Sequence, residues 1–393
     1  MTIRGANPRR DRKPQDVVYV GHSKSEGFAR ETGLSHRDFI PMDMRDIAKI
    51  AGVSSATVSR VINGLSTVKP ATAERVRRVI DELKFIPNGS ATTLKYGRSS
   101  TYGLIIPDIT NPFFPEFIQS FEGILADTNF NMMVATTESQ PLRMQKTIHR
   151  MLVSQVEGIA LLASEIESAP IEAVINKRVP LVTMDRRVVA KGLSDVCVDS
   201  AEGMRQAVLH LYGLGHRKIA YIGGSAGPTI SDHRLHSFLL AVGSVGLAAE
   251  TQYLRVGNYR ISGGESAMTE LLALSARPTA VIAANDLTAI GALRVIHNRG
   301  LSTPHDFSII GFDDIELSDI VFPPLTTLRL SRHELAKTFV TALEALGNSP
   351  HRNGTQYKVE TSLVTRNSTG PVKARGHLRK SNSRRKSGVP SGR

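Results

Sequence analysis

The sequence predicts an all-α headpiece of three short helices followed by an α/β region large enough for two parallel-sheet subdomains. Helical apolar spacing runs from Met44 to Lys84, and short apolar runs alternate with amphipathic stretches from Tyr102 to Asp314. At 393 residues the chain also exceeds what one ordinary core organises, so two or three domains are expected.

Charge is divided unevenly. Residues 1–98 hold 18 Lys and Arg against 10 Asp and Glu, residues 99–370 hold 23 against 26, and residues 371–393 hold 8 against none. Basic ends around a slightly acidic middle point to an anionic polymer as partner for the ends, with solvated tails as the alternative for residues 371–393. That tail, rich in Ser, Gly, Pro and charge, reads as disordered. Residues 1–43 lack helical periodicity and read as an N-terminal extension, disordered or the product of a misassigned start. No apolar run approaches the ~18 residues that span a bilayer. The opening MTIRGANPRRDRK lacks the apolar region of a secretory signal. Cys197, the single cysteine, permits no intrachain disulfide, which suits a reducing compartment and a cytoplasmic protein.

In the headpiece, MRDIAKIA turns Ile47, Ala48, Ile50 and Ala51 to one side, and Gly52 suits the left-handed position that ends a helix. Ser54 can cap a second helix, in which Val58, Val61 and Ile62 form a core stripe opposite Ser55, Ala56, Ser59 and Arg60. A third helix starts at Pro70 and is expected to bury Ala73, Val76, Ile80 and Leu83. Two helices joined by a tight glycine turn, with a third to close the core, make a helix-turn-helix whose second helix fits the major groove. Arg60 could then reach a guanine edge. The plainer alternative is a three-helix bundle with a solvated polar face. Downstream, IPNGSATTLKYGRSS (Ile86–Ser100) reads as a helix too short and too rich in Gly and Thr to stand alone. Such a segment suits folding on a partner, with Leu94 as a wedge between base steps.

MRDIAKIAGVSSATVSRVING, PNGSATTL and YGLIIPDITNPFF together resemble the lactose-repressor/galactose-repressor (LacI/GalR-type) family, and the resemblance extends from Met44 to about Gly370. It implies that Ser55, Ala56 and Arg60 contact bases, that Ser54, Thr57, Ser59 and Asn63 contact phosphates, and that Leu94 intercalates with Ala91 beside it. Lys69, Thr92 and Gly89 depart from the family pattern, and the last two would weaken the hinge's hold on DNA. The implied protein is a sequence-specific transcription regulator, a repressor bound to a pseudo-palindromic double-stranded operator. It acts as a homodimer or a tetramer and needs no cofactor or metal.

The alternating runs YGLIIP, NMMVATT, VEGIALLA, VPLVTM, KIAYIGG, TAVIAAN and FSIIGFDD predict parallel strands covered on both faces. The resemblance makes this a periplasmic-binding-protein-like domain over 99–370, with crossovers near Cys197, Leu330 and Lys358. Subdomain one is then 99–197 with 331–357, and subdomain two 198–330 with 358–370, behind a headpiece at 44–85 and a hinge at 86–98. Ligands of such sheets bind beyond the carboxyl ends of strands. Asn111, Phe113, Phe114, Asp185, Arg186, Arg234, Asn285 and Asp313 lie at or after those ends and resemble the sugar-contacting set of ribose-type binding proteins. Any one of them could instead be a helix cap or plain core, as Asp286 could. Leu330 and Ser237 depart from the sugar pattern, so a nucleobase or another acid-free metabolite stays open.

Two rival classes remain. GGSAG (Gly223–Gly227) matches a nucleophile elbow, with Ser225, Asp313 and His333 in serine–acid–base order, but Gly227-Pro228 obstructs the helix that must follow. A transport-type solute-binding protein explains the large domain but not the headpiece. HRLH (His233–His236) lacks a second pair of metal ligands. Because residues 1–43 contribute no pattern, a protein starting at Met42 is expected to bind operator as tightly as the full chain in a fluorescence-anisotropy titration.

Overall fold

The computed structural model describes residues 42–62, 64–85, 99–128, 130–162, 168–225, 230–349 and 353–372. Asn63, the hinge residues Ala91 and Leu94, and most of the two terminal segments lie outside them. The chain divides into two compact units, residues 1–89 and 90–393.

The first unit holds α1 (Met44–Ala51), α2 (Ser55–Ile62) and α3 (Pro70–Glu82). Asp43 caps α1 by accepting from the amides of Arg45 at 2.6 Å and Asp46 at 3.1 Å, and Asp46 returns a bond to the Asp43 amide at 3.0 Å. Gly52 ends α1 at φ 63°, the left-handed turn a β-carbon disfavours. Ser54 Oγ accepts from the Thr57 amide at 3.2 Å and so caps α2. Pro70 opens α3, and Lys69 before it offers no side-chain cap.

Helices this short do not persist alone, since about 12–15 residues are needed in isolation. Packing holds them: Ile47, Ala48, Ala51, Val58, Val61, Ala73, Val76 and Val79 are buried together. Ile50 is 58% exposed, against expectation, because the inward position one turn after Ile47 is taken by Ala51. Leu83 is likewise exposed where α3 has ended, and Val79 takes the core place assigned to it, with Ile80 only partly covered.

In the second unit the chain alternates strand and helix. Subdomain one contains β1 (Thr101–Ile106), α4 (Phe113–Leu125), β2 (Asn131–Thr136), α5 (Pro141–Val153), β3 (Gly158–Leu161), α6 (Ser168–Asn176), β4 (Leu181–Met184) and β5 (Leu193–Asp199). Subdomain two continues with α7 (Ala201–Gly213), β6 (Ile219–Ile222), α8 (Ile230–Ser244), β7 (Leu254–Arg255), α9 (Ile261–Ala273), β8 (Ala280–Ala283), α10 (Asp286–Asn298), β9 (Ser308–Asp313), α11 (Leu317–Ile320) and β10 (Thr326–Leu330). The chain then returns through α12 (Arg332–Gly347) and ends on β11 (Gln356–Val364).

The strand order is β2-β1-β3-β4-β5-β11-β10-β9-β8-β6-β7. All these pairs are parallel except β10 with β11. β11 joins the two halves: Gln356–Glu360 pair with β5, and Thr361–Val364 pair with β10. This handover lies just past the Lys358 expected for the third crossover. The other two fall between β5 and α7 and between β10 and α12.

One apolar cluster covers the same face of both halves, with Phe117, Phe121 and Phe339 in subdomain one and Phe238 and Phe312 in subdomain two. The opposite faces are covered separately, by α5 and α6 through Met144, Ile148 and Val174 and by α9 and α10 through Met268, Leu271 and Ile296. β2 is an edge strand that leaves Met133 and Val134 partly exposed, so its apolar run does not mark a covered strand.

α9 and α10 approach most closely at two glycines. A β-carbon on Gly291 would lie 2.1 Å from the Ile261 carbonyl oxygen, and one on Gly264 would lie 2.0 Å from that of Thr288. Neither backbone oxygen can rotate away, so Gly291→Ala is expected to destabilise the domain by about 1–3 kcal/mol in urea unfolding. Gly123 on α4 has open space beside it, and Gly123→Ala should instead stabilise by about 0.5–1 kcal/mol.

Candidate functional site

On the headpiece, the glycine turn and the Ser54 cap set α2 with Ser55, Ala56 and Arg60 exposed. Small side chains at its start allow close approach of the helix backbone, and Arg60 adds a long cationic fork. Thr57 is partly buried, and its hydroxyl lies 2.9 Å from Ser54 Oγ, so it joins the cap. Ser59 is only 6% exposed and does not lie on the outer face assigned to it. It sits next to Val58 and three residues before Ile62, which draws it to the edge of the core stripe. Asp43, whose carboxylate organises the first turn, was not singled out from the sequence; its place three residues before Asp46 was the available signal.

The large unit contains a cavity of about 520 Å³ at the carboxyl ends of strands from both subdomains. Of the eight expected effector residues, Asn111, Phe113, Phe114, Arg234, Asn285 and Asp313 line it, and Asp185 and Arg186 do not. Asn111 follows β1, and its Oδ1 accepts from the Phe113 amide at 3.1 Å. The Phe113 and Phe114 rings meet edge to face at 5.4 Å, Phe113 buried in the core and Phe114 partly so. Asn285, rather than Asp286, caps α10: its Oδ1 accepts from the Thr288 amide at 3.0 Å, while its Nδ2 donates to the Tyr259 carbonyl at 2.9 Å.

The floor is a buried ion pair. Arg234 Nη2 lies 3.5 Å from Asp313 Oδ1, with side-chain exposures of 9% and 6%. The guanidinium rests 3.7 Å over the Phe312 ring and donates through Nη1 to the Ala284 carbonyl. Arg234 Nε is buried with no acceptor among the described residues. Burial pushes the Asp313 carboxyl up to about 6, with Arg234 and Arg332 pulling the other way. Asp313 also adopts φ 106°, a costly conformation for a residue with a β-carbon.

Asp286 has a structural task. Fully buried, it accepts from the Ile315 amide at 2.9 Å and from the Thr327 hydroxyl, and burial and then nearby Asp313 push its carboxyl well up. Gly311 makes room for it, since a β-carbon there would lie 2.1 Å from Asp286 Oδ1.

Asp185 and Arg186 are turned away for a local reason. β4 ends at Met184, which faces the cavity, and Asp185 at φ 55° swings the chain back towards β5. Its carboxylate accepts from the Val198 amide at 2.7 Å, and burial pushes it up to about 6 against that bond and Arg234. The Arg186 amide donates to Asp195 Oδ1 at 3.1 Å, and burial lowers the pKa of its guanidinium.

The sequence reading marked the DITNPFF stretch without assigning Asp108 and Thr110 a contact and missed Glu138, Ser139, Asn258, Tyr259 and Arg260, all of which also line the cavity. They lie in loops without periodicity, and Glu138, Ser139 and Tyr259 hold positive φ, which is uncommon for such residues. Arg260 pairs with Asp108 across the cleft. Leu162, Met184 and Leu330, from the ends of β3, β4 and β10, supply an apolar wall.

Ser225 is in the lining as well, and residues 226–229 after it lie outside the described residues, ahead of α8. Asp313 is paired with Arg234, and His333 stands exposed on α12 and is not among the residues that line the cavity.

Residues 43–88 match the sequence profile of bacterial regulatory proteins of the lacI family, and residues 208–369 match that of a periplasmic binding protein-like domain. The ribose operon repressor of Haemophilus influenzae is 34% identical over 331 residues, 84% of this chain and 99% of that protein. The transcriptional repressor CytR of Escherichia coli is 31% identical over 83% of this chain and 96% of its own length. Among solved structures, the lac repressor dimer bound to operator and an anti-inducer aligns with TM-score 0.75 and 27% identity, covering 84% of this chain and 99% of that one. A LacI-family regulator from Enterococcus faecium with bound ribose aligns with TM-score 0.62 and 27% identity, over 70% of this chain and all of that one. These relatives are regulators rather than enzymes. With a headpiece, an α/β cleft and relatives matched over nearly their full length, the chain belongs to the LacI family of bacterial transcription regulators.

Proposed function

We propose that this regulator is a cytoplasmic repressor in which two copies place their α2 helices in successive major grooves of a pseudo-palindromic operator. A sugar or sugar derivative in the cleft controls that binding. Residues 44–85 act as the headpiece, 86–98 as the hinge and 99–370 as the effector-binding and dimerisation core. Ser55, Ala56 and Arg60 read bases, Ser54 and Thr57 stand beside the backbone, and Asn63, Ala91 and Leu94 complete the contact. The observation that carries the effector half is the Arg234–Asp313 pair, which lines one cavity together with Asn285, Phe113 and Phe114. A guanidinium fork and a carboxylate bind adjacent hydroxyls, and aromatic faces cover the C–H side of a ring. Control follows if the ligand's affinity differs between the DNA-bound and free states.

Arg60→Ala should cost about 1–3 kcal/mol at one base pair and relax specificity there. Equal losses on operator and random DNA would contradict its role as a base reader.

Arg234→Ala and Asp313→Ala should each weaken the sugar at least tenfold in calorimetry, since a hydrogen bond to a charged group contributes about 1.5–3 kcal/mol. Operator binding without ligand should stay unchanged if the ligand induces, and ligand-dependent operator binding should vanish if it co-represses. Sugar affinity equal to the parent's in both variants would remove the cleft reading.

Asp313 adds a pH signature. Its carboxylate form accepts from hydroxyls, and protons compete for it below about 6. Affinity should therefore fall up to about tenfold from pH 7 to pH 5, and Asp313→Asn should flatten that profile.

A further inference from the structure

Every charged side chain that lines the cavity already has a partner. Arg234 pairs with Asp313 on the floor, Arg260 with Asp108 at the mouth, and Glu138 with Arg143. Among the described residues three carboxylates and two guanidiniums face the space, so that lining carries no surplus positive charge for an incoming anion. Polar groups enter from both subdomains, Asp108, Asn111 and Glu138 from one and Arg234, Asn285 and Asp313 from the other, whereas Leu162, Met184 and Leu330 form a wall that offers a ligand no hydrogen bond.

From this we infer that the cavity selects an uncharged ligand with one hydroxylated edge and one apolar face. We infer further that Asp108, by holding Arg260, turns phosphorylated and carboxylated analogues away. The inference rests on the cleft being the effector site. A cavity of about 520 Å³ falls within the range of about 300–1,000 Å³ usual for small-molecule pockets. Hydroxyls pressed against the Leu162–Leu330 wall would lose water without gaining a bond, so the ligand's second part is apolar or planar.

Among the described residues an entering anionic group first meets Arg260, the more exposed of the two lining guanidiniums at 59%. An anion that approaches it also faces the Asp108 carboxylate paired with it. Against the pull of burial, the Thr110 amide and hydroxyl and Arg260 hold the Asp108 carboxyl below its ordinary value, so the opposing charge stays on. Deeper in, Arg234 is already committed to Asp313 and to the Ala284 carbonyl. Like charges brought together at a partly buried site carry a large penalty, which sets the expected discrimination at about a hundredfold.

The test is calorimetry on the full chain with matched probes: D-ribose against D-ribose 5-phosphate, and uridine against uridine 5′-monophosphate. In at least one pair the neutral member should bind about a hundredfold more tightly than its phosphorylated partner. Asp108→Asn keeps an oxygen that can accept from Thr110 and releases Arg260, so it should narrow that gap at least about tenfold by strengthening the phosphorylated member. A phosphorylated member that binds parent protein as tightly as its neutral partner would overturn the inference, as would an unchanged gap in Asp108→Asn. Silence from all four probes would overturn the effector reading itself, and this inference with it.

Discussion

The Arg234–Asp313 ion pair is the constraint on which the rest of the cleft depends. A guanidinium and a carboxylate removed from water at the end of a sheet need compensation on every side. Phe312 lies under the guanidinium, the Ala284 carbonyl accepts from it, and Arg332 donates to the Asp313 carbonyl at 2.7 Å. Removing one partner of such a pair typically costs about 3–5 kcal/mol, because the other is left buried and uncompensated. The strained φ of Asp313 persists because these neighbours over-determine it.

The same residues tie the floor to the junction between subdomains. Arg332 opens α12 directly after β10, where the chain returns to subdomain one. Its Nη2 lies 2.9 Å from Glu116 Oε2 on α4, and Glu116 Oε1 accepts from the Glu316 amide at 3.0 Å. A continuous path of charged contacts thus runs from the cavity floor through a crossover to both subdomains. The Arg234–Asp313 pair and the junction share Arg332. That is the kind of shared element through which a binding event can bias two conformations.

Much of this architecture was legible because burial on both faces of a parallel sheet leaves uninterrupted apolar runs. KIAYIGG, TAVIAAN and FSIIGFDD contain β6, β8 and β9, and polar residues just beyond them reach the cavity. The rule failed after β4 because a left-handed turn at Asp185 is not encoded by residue type, so its carboxylate serves β5 instead. Asp108 and Arg260 could not be paired from sequence, since they lie 152 residues apart in loops without periodicity. In the headpiece, Ser59 and Ile50 sit at the edges of stripes on two-turn helices, where a small rotation decides which side of the boundary a residue takes.

The central claim is that the cleft and the headpiece share one equilibrium, and coupling of that kind is reciprocal. The most direct measurement is ligand affinity determined twice on the same protein, free and saturated with operator, beside operator affinity with and without ligand. Both ratios should be equal and fall within the roughly 5–150-fold range of ordinary allosteric coupling. A ligand dissociation constant that is identical on free and operator-bound protein would contradict it.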